Sequence, residues 1–113
     1  MILIGPTLVS GIGQHANKYT KIFTPHAAYY QIGTTLPEEE DGLIFILPLA
    51  QHLKYVEYAK TRVKNLVCMT VCETETVHED YQMIMDAFKT ILVPSEFCKR
   101  VFSRQFPDNI FKV

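Results

Sequence analysis

The residues with the clearest chemical potential form a glycine-rich run, Gly11-Ile12-Gly13-Gln14, between the first apolar stretch of the chain and an amphipathic one. Glycines let the backbone come close to a diphosphate, and the N–H groups that open a helix point at such an anion. The run therefore predicts a phosphate-binding loop, with His15 in the first helical turn lining the pocket beside it. A glycine turn needed only for helix–strand packing explains the same run, because one G-x-G is a weak motif.

A second group of reactive side chains lies in Cys72–His78, where Glu73, Glu75 and His78 follow an apolar stretch. A general base for a hydroxyl group must be a carboxylate or an imidazole within hydrogen-bond reach. Acidic residues also stabilise the N-terminus of a helix, which Thr76 would cap, and this interpretation suits Glu75 better than Glu73. Glu73 directly follows a predicted buried strand and is open to both interpretations.

Short apolar runs that alternate with amphipathic segments indicate which elements hold these groups. The runs typical of buried strands are Ile2–Ile4, Ala27–Ile32, Leu43–Leu47, Leu66–Val71 and Thr90–Val93. Apolar residues at helical spacing follow Gly13, Pro48, Thr76 and Ser95. The segment Thr34–Asp41 contains four consecutive acids and is predicted to be a solvated loop.

This alternation predicts an α/β domain, a three-layer αβα Rossmann-like fold with a mostly parallel sheet of about five strands in the order 3-2-1-4-5. Ligands of such sheets bind at the carboxyl ends of the strands, where the strand order reverses. In this order the reversal places Gly5–Gln14 beside Cys72–His78. A flavodoxin-like order would instead place the first loop beside the loop after strand three. The direction of strand three stays open, because the connection that precedes it has no helical period.

The segment Asp86–Phe106 carries a resemblance to a known family. Its AFKTILVPSEFCKRVF resembles the strand, Pro-Ser-x-Phe turn and helix of family 4 glycosyltransferases, with Pro94 ending the strand and Ser95 capping the helix. Cys72-Glu73-Thr74-Glu75 is similar to the acidic position after the fourth strand of that family, and Gly11–Gln14 is similar to its glycine-rich loop. These matches follow the order of the family and span most of the chain.

The resemblance implies the N-terminal, acceptor-side domain of a GT-B-type glycosyltransferase, without the C-terminal donor-binding domain. It implies sugar transfer from a nucleotide-sugar to an acceptor hydroxyl, with no cofactor and no metal. The implied roles are a catalytic base for Glu73, phosphate binding for Gly11, Ile12, Gly13 and Gln14, and acceptor binding for His15 and Glu75. A single domain of 113 residues is expected to be inactive without a donor-binding domain or partner chain. The alternative is a non-catalytic Rossmann-like binding or protein-interaction module.

Composition argues against several other classes of protein. Eleven Lys and Arg residues against twelve Asp and Glu residues, with no basic block, do not suggest a nucleic-acid partner. The longest apolar run, Gly42–Ala50, is too short to span a membrane, and we expect a cytoplasmic chain that is compatible with a homo-oligomer. Cys68 and Cys72 are too far apart on one strand to bond, which predicts reduced and mostly buried thiols.

Overall fold

The computed structural model describes residues 1–6, 27–71 and 79–113. The strands in these ranges are β1 (Ile2–Gly5), β2 (Ala28–Gln31), β3 (Glu39–Phe45), β4 (Val63–Met69), β5 (Thr90–Leu92) and β6 (Ile110–Lys112). The helices are α1 (Ala50–Arg62), α2 (Gln82–Ala87), which follows a 3-10 turn at Glu79–Tyr81, and α3 (Glu96–Gln105). The helix predicted to follow Gly13 lies outside the described residues.

The six strands run parallel in one sheet, in the order β2-β1-β3-β4-β5-β6. The predicted α/β class with a parallel, Rossmann-like sheet is confirmed, and β1–β2 and β4–β5 are neighbours as expected. The position of the third strand requires a correction to the predicted order 3-2-1-4-5. It lies between β1 and β4 instead of beyond β2, as in the flavodoxin-like alternative, and β6 adds one further strand at the edge.

Burial explains why β3 is central and β2 is at the edge. Leu43, Ile44 and Phe45 are successive residues of β3 and are each no more than 2% exposed. Successive side chains of a strand point to opposite faces, so such a run needs cover on both faces of the sheet. In β2, by contrast, Ala28 and Gln31 are exposed, as suits a strand with one neighbour. The place of a strand in the sheet therefore follows the apolar content of that strand more closely than its position along the chain.

The acidic run is only partly the solvated loop that its charges predict. Glu39, Glu40 and Asp41 form the first half of β3 and remain largely exposed to water. They pair with β4, where the Lys64 Nζ lies 3.4 Å from a Glu40 carboxylate oxygen. The side-chain amide of Asn65 donates to Asp41 at 3.1 Å. The strand tolerates Glu40 and Asp41 because polar partners on β4 face them, and water still reaches all three acids.

The connection from β2 to β3 is an extended segment packed against α1. The Tyr55 hydroxyl donates to the Thr34 carbonyl at 2.5 Å, and the Leu36 N–H donates to the Tyr58 hydroxyl at 3.0 Å. The Arg62 Nε also donates to the Leu36 carbonyl at 2.9 Å. Side chains of α1 thus make hydrogen bonds with the backbone of this connection. In a helical crossover, such backbone groups would bond to one another. This is why β3 can run parallel to β2 without a helical crossover.

The larger part of the core lies on one face of the sheet. It joins alternate strand residues to the inner sides of α1, α2 and α3; the central strand residues are Ile2, Ile4, Ile44, Ile46, Cys68 and Ile91. A smaller cluster on the other face consists of Leu3, Leu43, Phe45 and Met69. All three described helices therefore cover the same face of the sheet. No helix within the described ranges is both long enough and apolar enough to cross a membrane.

The predicted strand–turn–helix unit at Thr90–Phe106 is confirmed. β5 ends at Leu92, and Ser95 has the extended backbone of a helix N-cap. Its hydroxyl accepts the Cys98 N–H at 3.2 Å, and Glu96 lies in the first turn of α3. The inner side of α3 buries Cys98, Val101 and Phe102, as the spacing of its apolar residues predicts. The same spacing predicts a buried Phe97, and this is wrong, because Phe97 is 37% exposed.

Replacing Ser95 with alanine is expected to lower the free energy of unfolding by about 1 kcal/mol, because the Cys98 N–H would lose its acceptor. Urea denaturation measures the change. The matched control is Ser103→Ala, at an exposed position of the same helix, for which we expect a change within about 0.5 kcal/mol. Equal losses in the two variants would rule out the capping role.

Candidate ligand-binding edge of the sheet

The carboxyl edge of the sheet, where β1, β3, β4 and β5 end, is the expected location of a ligand. β1 lies between β2 and β3 in the sheet. Both of these strands come after β1 in the chain, and they lie on opposite sides of it. The strand order therefore reverses at β1, and the crevice lies outside its carboxyl end, beside that of β3. Pro6 leaves the sheet there, next to the turn of residues 46–49 that joins β3 to α1.

The predicted site residues all lie outside the described ranges. Gly11, Ile12, Gly13, Gln14 and His15 belong to residues 7–26, and Glu73 and Glu75 belong to residues 72–78. These two segments leave the sheet from the carboxyl ends of β1 and β4. The two strands were expected to be neighbours, but β3 separates them. Their ends are thus two strand spacings apart, about 10 Å.

A tyrosine of β2 packs against the end of β1. The Tyr29 hydroxyl donates to the Pro6 carbonyl at 2.9 Å, and a Cβ atom added to Gly5 would lie 2.2 Å from the Tyr29 hydroxyl oxygen. Burial raises the pKa of Tyr29 to about 12, so its hydroxyl stays protonated and keeps its donor role. A side chain at position 5 would therefore displace the Tyr29 hydroxyl from the Pro6 carbonyl. The sequence predicts a strand over Ile2–Ile4 and places Gly5 in the loop that follows.

The N-terminus of α1 lies at the same edge and has no side-chain cap. Leu49 is the N-cap residue, and its carbonyl accepts the N–H groups of His52 and Leu53. Among the described residues, nothing accepts the N–H groups of Ala50 and Gln51, which are both exposed. Two N–H donors at the positive end of a helix dipole are suited to an anion. The signal in the sequence was the absence of Ser, Thr, Asp or Asn before this helix.

His52 is a packing residue of α1. It is 6% exposed, and its Nδ1 accepts the Leu47 N–H at 3.1 Å. The Leu47 N–H belongs to the turn that precedes the helix, so this hydrogen bond stabilises the turn. The accepted hydrogen bond places the proton of the neutral ring on Nε2. Burial lowers the pKa of His52 below its ordinary value.

The lowered pKa of His52 predicts that acid weakens the fold. Below about pH 6.5 the unfolded chain binds a proton on His52, whereas the folded chain binds it only at lower pH. The free energy of unfolding should therefore fall as pH falls below about 6.5. Replacing His52 with asparagine keeps an acceptor for the Leu47 N–H and removes the titration, so this variant should lose less stability between about pH 7.5 and 5.5. Urea denaturation at both pH values tests this, and equal losses in both proteins would contradict it.

Grooves formed by the described residues lie at the opposite edge, where the strands begin. One of about 460 Å³ lies between the start of β4 and the residues before β5. Others of about 450 and 430 Å³ lie beside the acidic start of β3 and beside the turn before β6. In the ranges that the structure describes, no three His, Cys, Asp or Glu side chains form a group that could hold a metal ion. Cys68 and Cys98 are buried, as predicted for the thiols.

Comparisons with known proteins add no relative. The chain matches no protein-family model, and neither the curated proteins nor the solved structures give a match. The resemblance to family 4 glycosyltransferases therefore depends on the motifs of the sequence alone.

Proposed function

We propose that this chain is the acceptor-side half of a GT-B-type glycosyltransferase that resembles family 4. It would contribute to sugar transfer from a nucleotide-sugar to an acceptor hydroxyl and would be inactive alone. Its partner would be a donor-binding domain or chain that closes over the carboxyl edge. Since nucleotide-sugars serve as donors, the proposed location is cytoplasmic.

The observation that carries this proposal is the geometry of the segment Thr90–Gln105. The residues that resemble the family form a buried parallel strand, a Pro94-Ser95 turn and a capped amphipathic helix at the carboxyl edge. This edge is where a doubly wound sheet binds its ligand. Both segments with candidate site residues leave the sheet at the same edge, from Pro6 and Val71. A separation of about 10 Å between their strand ends is compatible with a ligand that has a sugar at one end and phosphates at the other.

In the proposed reaction, Glu73 removes the proton of the acceptor hydroxyl while the acceptor oxygen bonds to the anomeric carbon of the donor sugar. The bond between that carbon and the phosphate oxygen breaks, and the nucleoside diphosphate leaves with the electron pair. The N–H groups around Gly11 and Gly13 would stabilise the negative charge on the departing phosphate. His15 and Glu75 would position the acceptor. No metal is required for these steps.

The isolated chain is expected to bind nucleotide-sugars weakly and to transfer no sugar. Because the proposed donor-binding domain would supply much of the site, we expect dissociation constants on the order of 1 mM or weaker for the isolated chain. NMR titration with UDP-glucose and GDP-mannose should shift the amide signals of Ala50 and Gln51 at the carboxyl edge. The amide of Asn109, at the opposite edge, is the internal control. Product formation by the chain alone, or shifts confined to the Asn109 edge, would contradict the proposal.

A non-catalytic interaction module is the second candidate function. The observation that favours it is the groove of about 460 Å³ at the amino edge, far from the proposed reaction. The two functions are not exclusive, because they use opposite edges of the sheet.

A further inference from the structure

The groove at the amino edge marks a place where the sheet is incomplete. β3 pairs with β4 along its full length, from Val63 to Met69. On its other side, β4 pairs with β5 only at Cys68 and Met69. Within the ranges that the structure describes, the first five residues of β4 therefore pair with a strand on one side only. β5 begins too late to cover them, and its preceding residues turn away into α2.

The direction of the backbone groups in β4 identifies the uncovered donors and acceptors. The Met69 carbonyl accepts the Ile46 N–H, so the backbone groups of Met69 point to β3. The Thr70 N–H donates to the Leu92 carbonyl, so those of Thr70 point to β5. Alternation along the strand then directs the N–H and C=O groups of Leu66 and Lys64 to the side of β5. No residue of the described ranges pairs with these four groups.

Lysines surround this uncovered edge. The groove of about 460 Å³ has Lys60, Lys64 and Lys89 in its lining, together with Val67 and Ala87, and no acidic residue lines it. The Lys64 side chain is 77% exposed, and its one carboxylate partner, Glu40, lies on the far side of β4. Val67 is 39% exposed and gives the groove an apolar wall. The lining of this groove is therefore positively charged, and the acidic residues Glu38 to Glu40 line the neighbouring groove with Lys60 and Lys64.

The walls of the groove are held in place by hydrogen bonds. The Lys60 Nζ donates to the Ala87 carbonyl at 2.8 Å and lies 4.7 Å from the centre of the Phe88 ring. The Asn109 side-chain amide donates to the Phe88 carbonyl at 2.7 Å, and the Lys89 Nζ donates to the Asp108 carbonyl. The segment before β5 is thus fixed beside β4, so the groove exists before a partner arrives.

We propose that the uncovered half of β4 binds an extended, acidic segment of a partner protein, which adds a short strand beside Val63–Leu66. The backbone of the segment would pair with Lys64 and Leu66, and its carboxylates would pair with Lys64 and Lys89. Addition of a strand to an open sheet edge is a known mode of peptide recognition. The uncovered stretch has room for about four or five residues, at about 3.3 Å per residue. The position is independent of the proposed sugar transfer at the other edge.

The choice of a peptide over a small anion follows from the backbone groups. A phosphate or carboxylate ion would satisfy lysines, but it would leave the carbonyls of Lys64 and Leu66 without donors. A peptide strand supplies both donors and acceptors at the spacing of β4. Acidic side chains then provide the charge that complements the three lysines.

The experiment uses a capped peptide of sequence Glu-Val-Glu-Val-Glu and the unmodified chain, followed by NMR and amide hydrogen exchange. We expect a Kd on the order of 0.1–1 mM, since the interface is far below the standard size. Hydrogen exchange at Leu66 and Lys64 should slow about tenfold when the peptide is saturating. A Lys-Val-Lys-Val-Lys peptide and a peptide with every backbone amide N-methylated should bind at least about tenfold more weakly.

Two variants locate the site. Lys64→Glu combined with Lys89→Glu should weaken binding of the acidic peptide at least about tenfold. Lys54→Glu, at an exposed position of α1 outside the groove, should bind it as the parent chain does. Equal binding of the N-methylated peptide would show that charge alone is recognised and would overturn strand addition. Absence of binding at several millimolar, or inorganic phosphate competing at the same concentration as the peptide, would overturn it as well.

Discussion

Replacing Phe102 with alanine is expected to lower the free energy of unfolding by about 3–5 kcal/mol, as for other buried aromatic residues. Phe102 is fully buried in α3, at the point where this helix packs on β6 and on the 3-10 turn. Its ring centre lies 5.3 Å from that of Tyr81 and 5.4 Å from that of Phe111. The substitution would leave a cavity between α3, β6 and the 3-10 turn. None of these elements can move into the cavity without also moving the others. Urea denaturation followed by circular dichroism measures the loss.

Phe97 provides a matched control for Phe102. It lies on the same helix and is 37% exposed, so Phe97→Ala should cost well under half as much. A loss for Phe102→Ala below about 1.5 kcal/mol would mean that the α3 interface repacks around the cavity. A loss of similar size in both variants would contradict the burial of one side of α3.

Replacing Glu73 with glutamine is expected to reduce sugar transfer at least about tenfold, because removal of a general base commonly costs more than that. The measurement requires the chain fused to a donor-binding domain of the same enzyme class, since the chain alone is expected to be inactive. Thermal unfolding of the same variant separates a catalytic role from a structural one. A catalytic base on the surface of the crevice should leave the midpoint nearly unchanged. A buried structural carboxylate that loses its partners would cost about 3–5 kcal/mol.

The control for Glu73 is Glu79→Gln, at an exposed position before α2. This variant removes one carboxylate close in sequence and should transfer sugar at the parent rate. His52→Ala is a poor control, because His52 is buried and its loss would leave the Leu47 N–H without an acceptor. If Glu73→Gln transfers sugar at the parent rate, Glu73 is not the base, and Glu75 and His15 are the next candidates.

The existence of the elements could be predicted from the sequence because each depends on local chemistry. Pro94 ends β5 and Ser95 caps α3, and both effects depend only on neighbouring residues. The apolar run around Ile44 predicted a buried strand for the same reason. The start of β4 was not predicted, because Lys64 and Asn65 are polar and interrupt the apolar pattern of a buried strand. They belong to the strand since Glu40 and Asp41 of β3 face them.

The order of the strands could not be predicted from single elements. Whether β3 lies beside β1 or beyond β2 depends on which strands need cover on both faces, and that is a comparison between distant segments. The connection before β3 gave no guidance, because its hydrogen bonds come from Tyr55, Tyr58 and Arg62 of a later helix. The candidate site depended on the same order. The prediction placed Gly5–Gln14 and Cys72–His78 after neighbouring strands, and this was wrong. The strands that lead to these two segments, β1 and β4, are separated by β3.

The central position of β1 has a consequence for how the chain folds. Ile2–Gly5 is synthesised before the other five strands, yet it pairs with β2 on one side and with the later β3 on the other. Among the strands of the described ranges, β2 pairs with β1 alone, so its pairing in the sheet depends on β1 being in place. The pairing of β1 with β3 must wait until the chain is synthesised beyond Ile44, and pairings between distant segments form slowly. Until then, Ile2, Leu3 and Ile4 are an apolar segment in need of protection from other chains.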